Sequence, residues 1–251
     1  MAESSEINLS GKKALVTGAS GGIGKHIAIA LAKRGAQVVV HYGGNAEAAE
    51  EVQQEIEKQG GEAICVQADL TQADQIEKLY DDAEDAVGTL DIVINNAGVP
   101  GGSLLTDLDL ETVDNLINVN FRAVALSLQQ AGKRLNDGGA IVNISSMLGT
   151  RPLPGTSVYS ATKAAVDVLS KMAAREFGER QISVNSLSPG ATLPGMFGRG
   201  TAEKQQAFAD ATPLKRLGKA EDIAEMAVFL VSEPGRWING SVVTADGGYS
   251  V

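Results

Sequence analysis

Short runs of consecutive apolar, largely β-branched residues alternate along this chain with longer stretches of helical period. Residues 13–17, 38–40, 63–67, 92–94, 140–144, 182–187 and 241–244 read as strands. Residues 22–34, 45–59, 72–87, 107–131, 157–178 and 221–231 read as helices. In the first helix Ile23, Ile27, Ala30 and Leu31 recur at helical spacing, and Gly35 follows its end. Strands that are apolar throughout, not at alternate positions, belong to a sheet buried on both faces. Seven of them separated by helices predict right-handed βαβ crossovers and a parallel, doubly wound sheet with helices on both faces. The length, 251 residues, suits one such domain, with residues 1–10 as an N-terminal extension. Residues 189–215, rich in Gly and Pro, show no clear period. Such a segment is either a substrate loop or lid, or a tolerated surface excursion.

The first strand runs into Thr17-Gly18-Ala19-Ser20-Gly21-Gly22-Ile23-Gly24 and then a helix. Glycines let backbone approach a pyrophosphate, and the helix N-terminus offers free N–H groups at its positive end. Gly18, Ser20, Gly21, Gly22, Ile23 and Gly24 are therefore candidate cofactor contacts, although tight turns also use Gly for conformation alone. Ligands of doubly wound sheets bind outside the carboxyl ends of the strands. Asp69-Leu70 and Asn96-Ala97-Gly98 follow the third and fourth strands, where adenine and ribose would lie. Asp69 has an equally simple alternative as an N-cap of the helix over 72–87.

The fifth strand ends at Ser145-Ser146, Tyr159 opens the next helix, and Lys163 follows four residues on. An i, i+4 pair shares one helix face. An ammonium beside a phenol favours the phenolate and lowers the Tyr pKa from about 10, which makes Tyr159 a usable acid/base. Singly, a strand-end Ser, a helical Tyr and a helical Lys are more simply a turn residue, a packing residue and a solvated charge.

Together with Asn120 and Pro189-Gly190, these pieces make the chain resemble the short-chain dehydrogenase/reductase family from about residue 10 to 251. Arg216-Leu217-Gly218, Glu221-Asp222-Ile223-Ala224 and Ala245-Asp246-Gly247-Gly248 resemble the tail of its 3-oxoacyl-reductase-like and polyketide/naphthol-reductase-like members. The resemblance implies a single-domain Rossmann-type fold and an NAD(P)-dependent oxidoreductase acting on C=O or CH–OH groups. It implies that Tyr159 passes the proton and Ser146 holds the substrate oxygen. It implies that Lys163 lowers the Tyr pKa and holds the nicotinamide ribose. Asn120 would fix a water that links Lys163 to solvent, or is a packing amide. Pro189, Gly190 and Thr192 would contact the nicotinamide, and no metal is needed.

The second strand ends Val40-His41-Tyr42-Gly43-Gly44-Asn45, without the carboxylate that binds a ribose diol in NAD-preferring members. That permits a 2′-phosphate. The usual basic partners are also missing, Gly21 standing where many members carry Arg or Lys. Ser20, Tyr42 and Asn45, with backbone N–H groups at Gly21 or Gly43, are the neutral donors available, which favours NADP(H) over NAD(H). His41 either contributes there or is an edge-of-sheet residue without a ligand role. Met147, Leu148, Leu153, Met196 and Phe197, with Ser146 and Tyr159, would line a substrate pocket suited to a ketone or secondary alcohol with apolar bulk. The leading expectation is NADPH-dependent carbonyl reduction. An NAD-dependent alcohol or sugar dehydrogenase is the alternative, and a non-catalytic NADP(H)-binding protein is a third.

Composition narrows the partners. A net charge of −10, from 21 Lys+Arg against 31 Asp+Glu, disfavours nucleic acid, anionic membranes and acidic carrier proteins. Lys133, Arg134, Arg175 and Arg180 could still form a local basic patch. One Cys and two His exclude a disulfide framework and a Cys- or His-rich metal site. No apolar run reaches the roughly 18–20 residues a membrane span needs, and residues 1–11 lack a secretion signal, so a cytoplasmic protein is expected. Small residues such as Ala123, Ala125, Ala161, Ala164 and Ala165 on two long helices permit close packing. The resemblance implies that these helices pair across a dimer axis and that the C-terminal strand makes a second interface, giving a homotetramer. Tyr249-Ser250-Val251 would then reach a neighbouring subunit.

Overall fold

In the computed structural model, which describes residues 7–251, the seven apolar runs form one parallel sheet. The strands are β1 (Lys13–Val16), β2 (Gln37–Tyr42), β3 (Glu62–Gln67), β4 (Ile92–Asn95), β5 (Ala140–Ile144), β6 (Ser183–Pro189) and, last in the chain, β9 (Val242–Ala245). A separate two-stranded ladder pairs β7 (Thr192–Leu193) with β8 (Gly218–Lys219). The helices are α1 (Gly22–Ala32), α2 (Ala46–Lys58), α3 (Ala73–Val87), α4 (Leu110–Ile117), α5 (Ala123–Arg134), α6 (Ser157–Glu176), α7 (Ala202–Ala211) and α8 (Ala220–Leu230). The strand order is β3-β2-β1-β4-β5-β6-β9, so the winding direction reverses between β1 and β4. A crevice opens at such a switch point, outside the carboxyl ends of the strands.

Alternate residues of each central strand point to opposite faces. Val16, Val40 and Ile94 meet Ile27, Leu31, Ile56 and Ala227 on one side. Leu15, Val39 and Val93 meet Leu79, Tyr80, Leu128 and Val166 on the other. Each large aliphatic side chain buried this way contributes about 1.5–3 kcal/mol. Of the expected extension over 1–10, residues 1–6 lie outside the described residues. Leu9 is buried, and its N–H donates to the Arg34 carbonyl at 2.7 Å.

Two expected elements differ. The helix expected over 107–131 is two helices, α4 and α5, joined by a π-helical turn over Asn118–Arg122. Helical period survives such a turn in the sequence pattern, while the hydrogen-bond ladder shifts by one residue. The segment 189–215 is not without structure. It holds β7, a 3₁₀ turn (Met196–Arg199) and α7. No residue of α7 is buried, so the helix lacks the apolar stripe that periodicity detects. Its legible signal was the N-cap: Thr201 accepts from the Lys204 N–H at 3.3 Å, with Glu203 in the first turn.

Candidate active site

Helix α1 begins at the crevice without a side-chain cap. Its cap residue, Gly21, is extended (φ −174°), so the first N–H groups of the helix have no side-chain acceptor. Gly18 and Gly22 have φ of +63° and +54°, which favours glycine. Gly24 serves a different purpose. A Cβ there would stand 2.3 Å from the Gly18 carbonyl oxygen and 2.4 Å from Asn96 Nδ2. The turn is pinned from behind: Asn96 Nδ2 donates to the carbonyls of Thr17 and Gly18 at 2.9 and 3.0 Å. Thr17 Oγ1 accepts from the N–H groups of Asn96 and Ala97.

His41 completes this support. It lies on β2, in the interior of the sheet between β1 and β3 and not at an edge, with its ring buried behind the turn. The Gly18 N–H donates to Nδ1 at 3.0 Å, so Nε2 carries the hydrogen and donates to the Ala68 carbonyl at 3.0 Å. Burial lowers its pKa to about 4, against the Ala68 hydrogen bond, and the ring is neutral.

The crevice has a volume of about 980 Å³ and runs from this turn to the Ser146, Tyr159 and Lys163 side chains. Ser146 ends the stretch after β5, and the 3₁₀ turn Met147–Gly149 follows, its Leu148 N–H donating to Ser146 Oγ at 3.2 Å. Tyr159 and Lys163 project from the first turns of α6, with Lys163 Nζ 5.8 Å from the Tyr159 ring centroid. Lys163 is buried and donates to the Ile144 carbonyl at 2.8 Å. Burial draws its pKa down to about 8, against the Asp167 carboxylate. Burial pushes the Tyr159 phenol upward, opposed by the Ser146 hydroxyl. The sequence argument had Lys163 lowering the Tyr159 pKa. In the structure desolvation of the phenol dominates, and the group that opposes it is the Ser146 hydroxyl.

Of the expected cofactor contacts, Gly18, Ser20, Gly21, Gly22, Ile23, Gly43, Asp69, Leu70, Asn96, Ala97, Gly98, Pro189, Gly190 and Thr192 line the crevice. Gly24, Tyr42 and Asn45 do not line it. Gly24 is a packing glycine, and Asn45 caps α2, its Oδ1 accepting from the Ala48 N–H at 3.0 Å. Asp69 does not cap α3. Its Oδ1 accepts from Thr71 N–H and Oγ1 at 2.9 and 2.7 Å, which lowers its pKa. Asn120 is fully buried and off the crevice wall. Its amide is engaged with Val99, accepting from the N–H at 2.8 Å and donating to the carbonyl at 2.9 Å. It therefore holds the loop after β4 with its side chain.

The expected substrate residues Met147, Leu148, Leu153, Met196 and Phe197 all line the crevice. Sequence reasoning missed Phe208 and Lys204 of α7, which line it too. Phe208 makes an edge contact with Phe197 (4.8 Å) and stacks on Tyr249 (5.2 Å), and Arg151 lies 5.4 Å over the Tyr249 ring. Tyr249 thus packs on α7 of its own chain.

An uncapped helix N-terminus, glycines with no room for a side chain, and a crevice long enough to reach a buried phenol fit a dinucleotide cofactor. This is the arrangement of a nucleotide-dependent oxidoreductase. The family model described as enoyl-(acyl carrier protein) reductase matches residues 18–250. A short-chain type dehydrogenase/reductase of Picea abies is 41% identical, covering 96% of this chain and 93% of that one. A probable tetrahydroxynaphthalene reductase of Zymoseptoria tritici is 40% identical, covering 95% and 94%. Among solved structures, the landomycin C-6 ketoreductase LanV with bound NADP and rabelomycin superposes with a TM-score of 0.89 at 36% identity, covering 97% and 98%. The chain belongs to the short-chain dehydrogenase/reductase family and is an oxidoreductase that uses a nicotinamide cofactor. No helix among the described residues is long and apolar enough to cross a membrane.

Proposed function

We propose that this enzyme reduces a ketone carrying apolar bulk to a secondary alcohol with NADP(H), Tyr159 acting as general acid. The carrying observation is the convergence of Ser146, Tyr159 and Lys163 at one end of a crevice whose other end is the uncapped N-terminus of α1. When bound, the nicotinamide supplies the hydride. The N–H groups at the start of α1 would hold the pyrophosphate, and Pro189, Gly190 and Thr192 the nicotinamide side. Ser146 donates a hydrogen bond to the substrate oxygen and stabilises its developing charge. Tyr159 delivers the proton to that oxygen. Burial raises the phenol's pKa further above neutrality, which suits a proton donor. Lys163 places a positive charge behind the phenol. Apolar walls from Leu148, Leu153, Met196, Phe197 and Phe208 exclude water from the reacting atoms.

The cofactor preference rests on charge. Asp69 is the only acidic side chain lining the crevice among the described residues, and none comes from the end of β2. Nothing there repels a 2′-phosphate, and Ser20 and backbone N–H groups are its donors. NADP in the LanV structure supports the same reading. NAD(H) is the second reading, since among the described residues Lys163 and Lys204 are the only Lys or Arg lining the crevice and neither stands at the glycine turn. Titration of the protein with NADPH and with NADH, following nicotinamide fluorescence, decides between them. Tighter NADPH binding is expected, and tighter NADH binding would overturn the assignment. Tyr159→Phe should bind NADPH as before yet reduce a bicyclic probe ketone such as 2-tetralone at least about 100-fold more slowly. Retained turnover would overturn the mechanism.

The assembly proposed is a homotetramer in the cytoplasm. Leu110 and Ile117 of α4 and Val168 and Met172 of α6 are exposed apolar side chains, as is Trp237 towards the carboxyl end. These support two interfaces. The single cysteine, Cys65, is free, in keeping with a reducing compartment. Light scattering on the purified protein should give four times the chain mass.

A further inference from the structure

Two carboxyls are buried among the described residues, Asp91 and Asp167. Asp91 is fully engaged, with Lys12 (3.2 Å), the Lys13 N–H (3.0 Å) and Asn136 (3.2 Å). Asp167 is 5% exposed, and neither of its carboxyl oxygens has a hydrogen-bond partner. A buried acid without partners is costly, and packing alone does not call for one.

Its place in the fold is specific. Tyr159, Lys163 and Asp167 follow one another at four-residue intervals along α6, and helical side chains tilt towards the N-terminus. The Asp167 carboxyl is therefore directed at the base of Lys163. The turn after Ser146 descends on the same spot. A Cβ built on Gly149 would stand 3.2 Å from Asp167 Oδ2, 3.1 Å from the Ala164 nitrogen and 3.2 Å from the Lys163 carbonyl carbon. The nearby hydroxyls have other partners: Ser145 Oγ donates to the Lys163 carbonyl at 3.1 Å, and Ser186 Oγ pairs with Ser170 Oγ at 2.9 Å. Two charged groups act on the carboxyl, Lys163 and Lys171, both from α6. From β5, β6 and the turn after Ser146 no charged group faces it; burial pushes the carboxyl upward, and the Ser145 and Ser186 hydroxyls and the two lysines oppose this.

We propose that Asp167 is a positioning residue whose negative charge, set behind Lys163, favours the ammonium and holds the proton on Tyr159, so that the phenol remains a proton donor into the alkaline range. This deepens the reading of Tyr159 as general acid and rests on it. Burial draws Lys163 down, and the Asp167 carboxylate is the charge that opposes this. Removing a negative charge lowers the pKa of every neighbouring acid, so both Tyr159 and Lys163 should lose protons more readily without it.

The test needs no substrate. Tyr159 ionisation is read from phenolate absorbance at 295 nm, as the difference between each protein and the same protein carrying Tyr159→Phe. In Asp167→Asn the midpoint should fall by about one pH unit, for a charge about 12 Å along the helix at an effective dielectric of about 20. Asp167→Glu, which keeps the charge, should restore it. The alkaline limb of 2-tetralone reduction with NADPH should move in the same direction as the phenolate midpoint. Asp167→Ser serves as the second neutral variant if Asp167→Asn fails to fold. A midpoint that moves by less than about 0.3 unit, or towards alkaline pH, overturns the proposal, because a purely structural carboxyl would change melting temperature and leave the titration in place. Retained turnover in Tyr159→Phe would instead overturn the assignment of the general acid, and the phenolate titration would still decide the part played by Asp167.

Discussion

His41 makes folding stability depend on pH in a way that can be worked out from its two hydrogen bonds. Its ring accepts from the Gly18 N–H and donates to the Ala68 carbonyl, so the neutral form alone satisfies both. A second proton on Nδ1 would face the Gly18 N–H, donor against donor. The folded pKa is about 4, and an unfolded histidine titrates near 6.5. Between these values the unfolded chain binds more protons than the folded one, so stability rises with pH across that window. The contribution is complete above about pH 6.5 and is lost as pH falls towards 4. From pH 7.5 to 5.5 the loss amounts to about 1.3 kcal/mol, or roughly 3–5 °C in melting temperature for a chain of this size. Thermal melts at the two pH values measure it, with His41→Asn as the reference, since Asn keeps an acceptor near Nδ1 and does not titrate. The drop between the two pH values should be smaller in His41→Asn by about that amount. Equal drops in both proteins would refute the argument and mean that the imidazole is not held neutral behind the turn.

Other outcomes follow from the same turn. Gly24→Ala forces a methyl against the Gly18 carbonyl, which cannot swing aside as a flexible side chain does. Overpacking of about 1–3 kcal/mol should outweigh the roughly 1 kcal/mol that Ala gains in helix propensity. A lower melting temperature and at least about tenfold weaker NADPH binding, or about 1.4 kcal/mol, are expected. Gly21→Ala, at an extended position with nothing within 4 Å, should change neither, and matching behaviour of the two variants would show that the space behind Gly24 is not limiting. Gly21→Arg places a cation at the crevice edge and should raise the preference for NADPH over NADH several-fold by calorimetry; an unchanged ratio would mean that this position does not face the 2′-phosphate.

Much of the architecture was legible because it rests on local pattern. Solid apolar runs such as 38–40 and 140–144 mark strands buried on both faces wherever they occur. The glycine turn and the Tyr159–Lys163 spacing are likewise local, since one turn of helix sets their geometry. What escaped depends on neighbours distant in sequence. Helix α7 has no buried face, so periodicity does not reveal it, and only the folded structure brings its Phe208 to the crevice wall. Asn120 was expected either to fix a water that links Lys163 to solvent or to serve as a packing amide; the pairing of its amide with Val99 across the π-helical turn is one that local sequence does not announce.

The sequence by itself determined the seven-stranded parallel sheet and the residue types at the crevice, because hydrophobic period and glycine placement act within a few residues. Only the tertiary structure decided the charge states and directions of the polar side chains. Gly18 and Ala68, far apart in the chain, hold His41 neutral. Desolvation raises Tyr159 and draws Lys163 down to about 8. Asp167 lies unpaired beneath Gly149. Burial and hydrogen-bond partnership are sums over contacts from many elements, and those sums do not exist until the elements have packed.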